Sequence, residues 1–299
     1  MNMKDYTNTS KKNIISVLRD KGVDVSDDVE WYELDDEIEK IKEDKSGALI
    51  DRTITEISND SIEKIGDHIF RGCEKLKRAE FSQATSIGAY AFDSCEALIV
   101  VDFQVATTIN TYAFYSCTAL REANFPAALS ISDNAFNNCI ALTTANFPVV
   151  DEIGTKSFTL CKKLKTVNFP VATSIGQQAF KQCIELTTVN FPRVETIWGS
   201  AFAQCTELTT ADFSMVANIG RQVFYNCQKL TALILRKSDS VCTLSGIDAF
   251  TSTPIASKTG YIYVPAALID SYKTATNWTK YADQFRAIED YPDICGGAE

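Results

Sequence analysis

Residues 175–196 read Ile175-Gly176-Gln177-Gln178-Ala179-Phe180-Lys181-Gln182-Cys183-Ile184-Glu185-Leu186-Thr187-Thr188-Val189-Asn190-Phe191-Pro192-Arg193-Val194-Glu195-Thr196. A shift of 22 residues in either direction brings the pattern back without an insertion. Its cysteine recurs as Cys73, Cys95, Cys117, Cys139, Cys161, Cys183, Cys205 and Cys227. A Phe stands three positions before each, from Phe70 to Phe224, and a Leu three positions after, from Leu76 to Leu230. A second Phe column runs from Phe81 to Phe213, and an Ile column from Ile65 to Ile219 opens the units. Self-similarity at a fixed period of about 20–50 residues means a solenoid, in which each unit buries its apolar face only against its neighbours.

Within the unit, Leu186, Val189 and Phe191 are expected to point inward, and Thr188 and Asn190 outward. This period-two alternation is that of a half-buried strand. Pro192 has no N–H to donate and suits the strand's end. One such strand per coil, all running the same way, predicts one parallel β-sheet along one side. The Ile-Gly-x-x-Ala-Phe-x-x-Cys segment would close the other side as a short helical or 3₁₀ turn.

The unit I-G-x-x-A-F-x-x-C-x-x-L-x-x-(A/V)-(N/D)-F-P-x-(A/V)-x-x, over residues 50–250, resembles the leucine-rich repeat of BspA-like proteins of bacterial and protozoan surfaces. The resemblance implies an α/β repeat fold: a right-handed leucine-rich-repeat solenoid with its sheet on the concave face. It also implies work in adhesion and protein binding, often at the cell surface or secreted. The opening residues Met1 to Ser10 have no apolar core of a leader, so a secretory signal is not expected in this chain. That points instead to the cytoplasm or a phage particle. Leu18-Arg19-Asp20-Lys21-Gly22-Val23-Asp24-Val25 resembles short N-terminal segments of phage tail-associated proteins, which supplies an alternative role.

Composition narrows the function. The 299 residues carry a net charge of −10 and 45% apolar residues. A nucleic-acid surface needs a basic patch, so none is expected, nor any attraction to anionic lipid. No apolar run approaches the roughly 18–20 residues of a membrane span. One histidine, His68, leaves little for hydrolase or zinc chemistry. It is expected to be exposed and without a partner. No phosphate-cradling glycine motif follows a strand, and neighbouring acids such as Asp151-Glu152 do not converge on a bond. No catalytic residue, metal site or cofactor is therefore expected, and the chain is read as a monomeric scaffold rather than an enzyme.

The ten cysteines admit two readings. They could form disulfides or bind metal, but no C-x-x-C occurs, and like side chains in register point the same way rather than at each other. The expectation is buried free thiols, used as small hydrophobes.

The ends differ from the middle. Residues 1–47, with 13 acidic and 8 basic residues, are expected to form a small helical segment. Residues 48–250 form the solenoid, with a half-unit holding Ile54, Ile57 and Ile62 and a degenerate ninth unit after an insertion at Ser238 to Leu244. Residues 251–299 form a cap, with a strand at Tyr261 to Val264, a helix over 266–278, and Phe285, Ile288 and Tyr291 closing it.

Binding is expected on surfaces. On the sheet face one column runs Arg78, Val100, Glu122, Thr144, Thr166, Thr188, Thr210, Ala232, and the next runs Glu80, Asp102, Asn124, Asn146, Asn168, Asn190, Asp212, Ile234. A Thr/Asn lattice serves strand formation and side-chain ladders equally well, or it docks a protein or glycan. No aromatic anchor stands in these columns. The opposite side offers Tyr90, Tyr112 and Trp198, the last in a column held mostly by Gly.

Overall fold

A computed structural model describes residues 53–295. The expected helical segment at 1–47 lies outside the described residues. The Leu-x-x-(A/V)-x-Phe segments form a parallel ladder from Glu56–Ser58 to Phe285–Ala287, in runs of three, three and five strands. Pairing keeps the 22-residue register: Thr166 lies against Thr144, and Asn168 against Asn146.

The opposite wall departs from the simple expectation. The Ile column sits in a second, nine-stranded parallel ladder of two-residue strands, from Lys64–Ile65 to Thr243–Leu244. The segment after it is a run of turns, not a helix. Its backbone alternates between local and inter-coil partners. Ser157, Thr159 and Cys161 donate their N–H groups to carbonyls three residues back. Lys156, Phe158 and Leu160 donate theirs to Gln177, Ala179 and Lys181 of the next coil, at 2.9, 2.8 and 2.9 Å. The alternation requires two left-handed residues per coil, such as Tyr90 and Ser94 (φ 55° and 60°) or Gln178 and Gln182 (φ 58° and 63°). A regular helix cannot form through such residues.

The interior is a set of ladders. Phe136 stacks between Phe114 and Phe158 at 5.1 and 5.3 Å, nearly coplanar. The second Phe column stacks likewise, Phe147 lying 5.5 Å from Phe125 and 5.2 Å from Phe169. The two columns meet edge to face, as for Phe136 and Phe147 at 5.7 Å. Offset and edge contacts of this kind add about 0.5–1.5 kcal/mol per pair to burial worth about 1.5–3 kcal/mol per side chain.

All nine cysteines from Cys73 to Cys242 are free and buried. Each thiol from Cys95 to Cys227 donates to the carbonyl of the Phe 25 residues earlier, Cys139 to Phe114 at 3.2 Å among them. Burial raises the thiol pKa values, to about 12 for Cys227 and Cys242 and well above the usual range for the others. Only the protonated sulfur can make this bond, so the column is a neutral one.

The cap closes the last coil. Tyr261–Val264 pairs with Ala232–Leu235, and Phe285–Ala287 pairs outside it as one more strand. The expected helix over 266–278 is shorter: a 3₁₀ turn at Ala266–Leu268 runs into α1, Ile269–Thr274. Asn277, at φ 65°, lies beyond its end and donates to the Leu244 carbonyl at 2.7 Å. Trp278 is fully buried and donates to the Cys242 carbonyl at 2.6 Å, while the Tyr272 hydroxyl accepts from the Cys242 N–H. The insertion at 238–244 is thereby tied into the stack.

Candidate functional site

The wide ladder's outer face carries the two predicted columns side by side. Arg78 and Glu80 form an ion pair at its start, and Asp102 accepts from Gln104 at 2.6 Å. In the middle, Asn168 donates to Asn146 at 2.6 Å and Asn146 donates to Asn124 at 2.7 Å. Glu122, Thr166, Thr188 and Asn190 are exposed, and Thr144 and Thr210 half-buried. Asn124, Asn146 and Asn168 thus hold one another in a fixed row.

Asp212 departs from the expectation of an exposed site residue. It is buried and held by the Arg236 fork, at 2.8 and 2.6 Å. Arg236 lies 24 residues on, outside the 22-residue register, so the repeat carries no sign of it. Beyond the predicted columns, which hold no aromatic residue, the cap adds aromatic residues to the sheet. Ala232 pairs with Tyr261, and Ile234 with Tyr263, which in turn pairs with Arg286. The Arg286 guanidinium lies 4.2 Å from the centre of the Tyr261 ring, which is 37% exposed. Tyr263 packs with Ile234, Ile288 and Tyr291. The insertion shifts these residues out of the repeat, which hides them from a column reading.

On the other side, Tyr90 and Tyr112 form a stack with His68, with ring centres 4.9 and 4.7 Å apart. These three are left-handed residues of successive coils, and all are half-buried. His68 is therefore neither freely exposed nor without a neighbour; its Nδ1 is buried and lacks a hydrogen bond. Arg71 pairs with Asp93 at 2.8 Å beside this stack.

Trp198 is 57% exposed. It borders a groove of about 590 Å³ along the narrow ladder, lined by residues of successive coils including Ser132, Asp133, Glu152, Gly154, Thr155, Ser174, Gly176 and Gln177. At Gly176 the coils lie close: a Cβ there would stand 2.7 Å from Gly154 C and Thr155 N. Among the described residues, no three His, Cys, Asp or Glu side chains converge as a metal site. No helix among them is long and apolar enough to cross a membrane.

The family model of the BspA type leucine rich repeat region matches residues 49–165 and 151–260, in six copies. The chain belongs to the BspA-type leucine-rich repeat family. Among solved structures, a leucine-rich repeat protein from Bacteroides ovatus is 20% identical, with a TM-score of 0.53, over 70% of this chain and 63% of its own. This BspA-type chain thus spans less than two thirds of that protein, and the likeness shows the fold. A leucine rich cell surface protein from Faecalibacterium prausnitzii is 19% identical over 82% of this chain and 83% of its own, with a TM-score of 0.36. The T. pallidum leucine rich repeat protein is 24% identical over 59% and 78%, at 0.43. No curated protein matches the chain significantly. The leucine-rich repeat solenoid is typically a binding scaffold for protein partners.

Proposed function

We propose that this BspA-type chain is a non-catalytic contact protein for adhesion or host binding, holding a protein partner on the outer face of its wide ladder. The observation that carries the reading is the register at the cap, where the Thr column continues from Thr210 through Ala232 to Tyr261, with Arg286 against its ring. Tyr and Arg are the residue types that anchor protein interfaces, and a row of side chains already fixed to one another loses little freedom on binding.

Capture of a partner by the intact chain tests it, beside Thr166→Arg/Thr188→Arg and Tyr261→Ala variants. The reading expects capture to fall at least tenfold in both while the melting temperature holds. Unchanged capture contradicts it. Adhesion also expects the chain in the surface fraction of cells; recovery in phage particles would move the same surface to a tail-associated role.

A further inference from the structure

The groove beside Trp198 shares no residue with the wide ladder's outer face, so a ligand in the groove is independent of a protein on that face. Three features set the groove apart. First, its indole is the largest exposed aromatic among the described residues and stacks on no other ring there, although a neighbouring coil holds Gly176 at the equivalent place. Second, Gly154 and Gly176 carry no side chain in the coils beside the indole and leave a bare trough there. Third, the walls are hydroxyl, amide and carboxylate groups repeated coil by coil. Asp133 spends one oxygen on the Thr155 N–H at 2.8 Å, and neither Asp133 nor Glu152 has a cationic partner among the described residues.

These features select a ligand. Acceptors that recur at one strand spacing, about 4.8 Å, suit a polymer whose own units recur at about that step and present hydroxyls each time. A pyranose chain does so. It also offers a C–H face to an indole, an amphipathic surface that takes apolar and polar contacts together. Unpaired carboxylates on a chain of net charge −10 repel anionic polymers. A protein partner would need a cluster of buried anchors, and the groove has one. We propose that this groove binds a linear neutral oligosaccharide, one sugar face on Trp198 and successive hydroxyls on Asp133, Glu152 and Gln177.

Titration of the full chain with cellohexaose, laminarihexaose and chitohexaose, each followed by calorimetry, tests the assignment. A hyaluronan hexasaccharide serves as the anionic control. At least one neutral hexasaccharide is expected to bind, more tightly than its disaccharide, and hyaluronan is not. Trp198→Ala should weaken that binding at least tenfold, Glu152→Gln severalfold, and Trp198→Phe should restore part of the Trp198→Ala loss. The side chain is exposed, so the melting temperatures should match. Failure of all three neutral hexasaccharides to bind overturns the proposal. So does binding that Trp198→Ala leaves unchanged, or a preference for hyaluronan.

Discussion

Gln182 is a long, straight side chain held at φ 63°, where an L-residue is strained, and it makes no side-chain hydrogen bond among the described residues that would favour the conformation. Left-handed backbone costs a non-glycine residue about 1–2 kcal/mol, and more if it is β-branched. Gln182→Val, which adds β-branching to a cost Gln182 already bears, should therefore lower stability, while Gln182→Gly should stay within about 0.5 kcal/mol of the parent or exceed it. Chemical denaturation of the pair checks this. Equal stabilities would mean that the alternating turn does not hold in solution. The left-handed columns are not legible in the sequence because they hold Tyr, Gln, Ser, Lys and Leu as well as Asn, and only one Gly. Stacking against the next coil overrides what these residues prefer locally. The burial of Asp212 is hidden for a related reason: a column identifies a neighbour in register, and Arg236 is out of register.

The wide strands are legible because Leu, Ala or Val, and Phe alternate with polar residues in every coil. The two-residue strands at the Ile column are not, since a single inward side chain carries no period. The same limit hides the groove, whose lining comes from several columns of successive coils. Side-chain rows within an element can be tested directly. Asn146 both donates to Asn124 and accepts from Asn168. Asn146→Asp replaces the donor with a charged acceptor facing the Asn124 oxygen. It should cost about 0.5–1.5 kcal/mol at neutral pH, the net worth of a part-exposed hydrogen bond. No loss in a urea titration would show that the row is not formed.

Across the whole molecule, the ladders make the interior uniform and neutral. In the eight thiols from Cys95 to Cys242, burial holds the folded pKa well above the roughly 8.5 of a free thiol. Their contribution is therefore complete below the unfolded value and is lost as pH rises toward the folded one. Ionisation above the unfolded value would place negative charge in the apolar interior, so stability falls as pH rises. Unfolding in alkali is therefore expected at a pH above about 8.5, and circular dichroism during the titration would give its midpoint. Replacing three of these cysteines with alanine should move that midpoint upward relative to the variant's own stability at pH 7. A stability that does not fall as pH rises above about 8.5 would contradict the neutral ladder.

The most direct measurement of the stacked interior is alkylation by iodoacetamide without reductant, read by mass spectrometry on native and on denatured protein. The nine cysteines from Cys73 to Cys242 are expected to stay unlabelled in the native chain and all to be labelled once it is unfolded. Native labelling along that column, or disulfide-linked pairs surviving in denaturant, would contradict this.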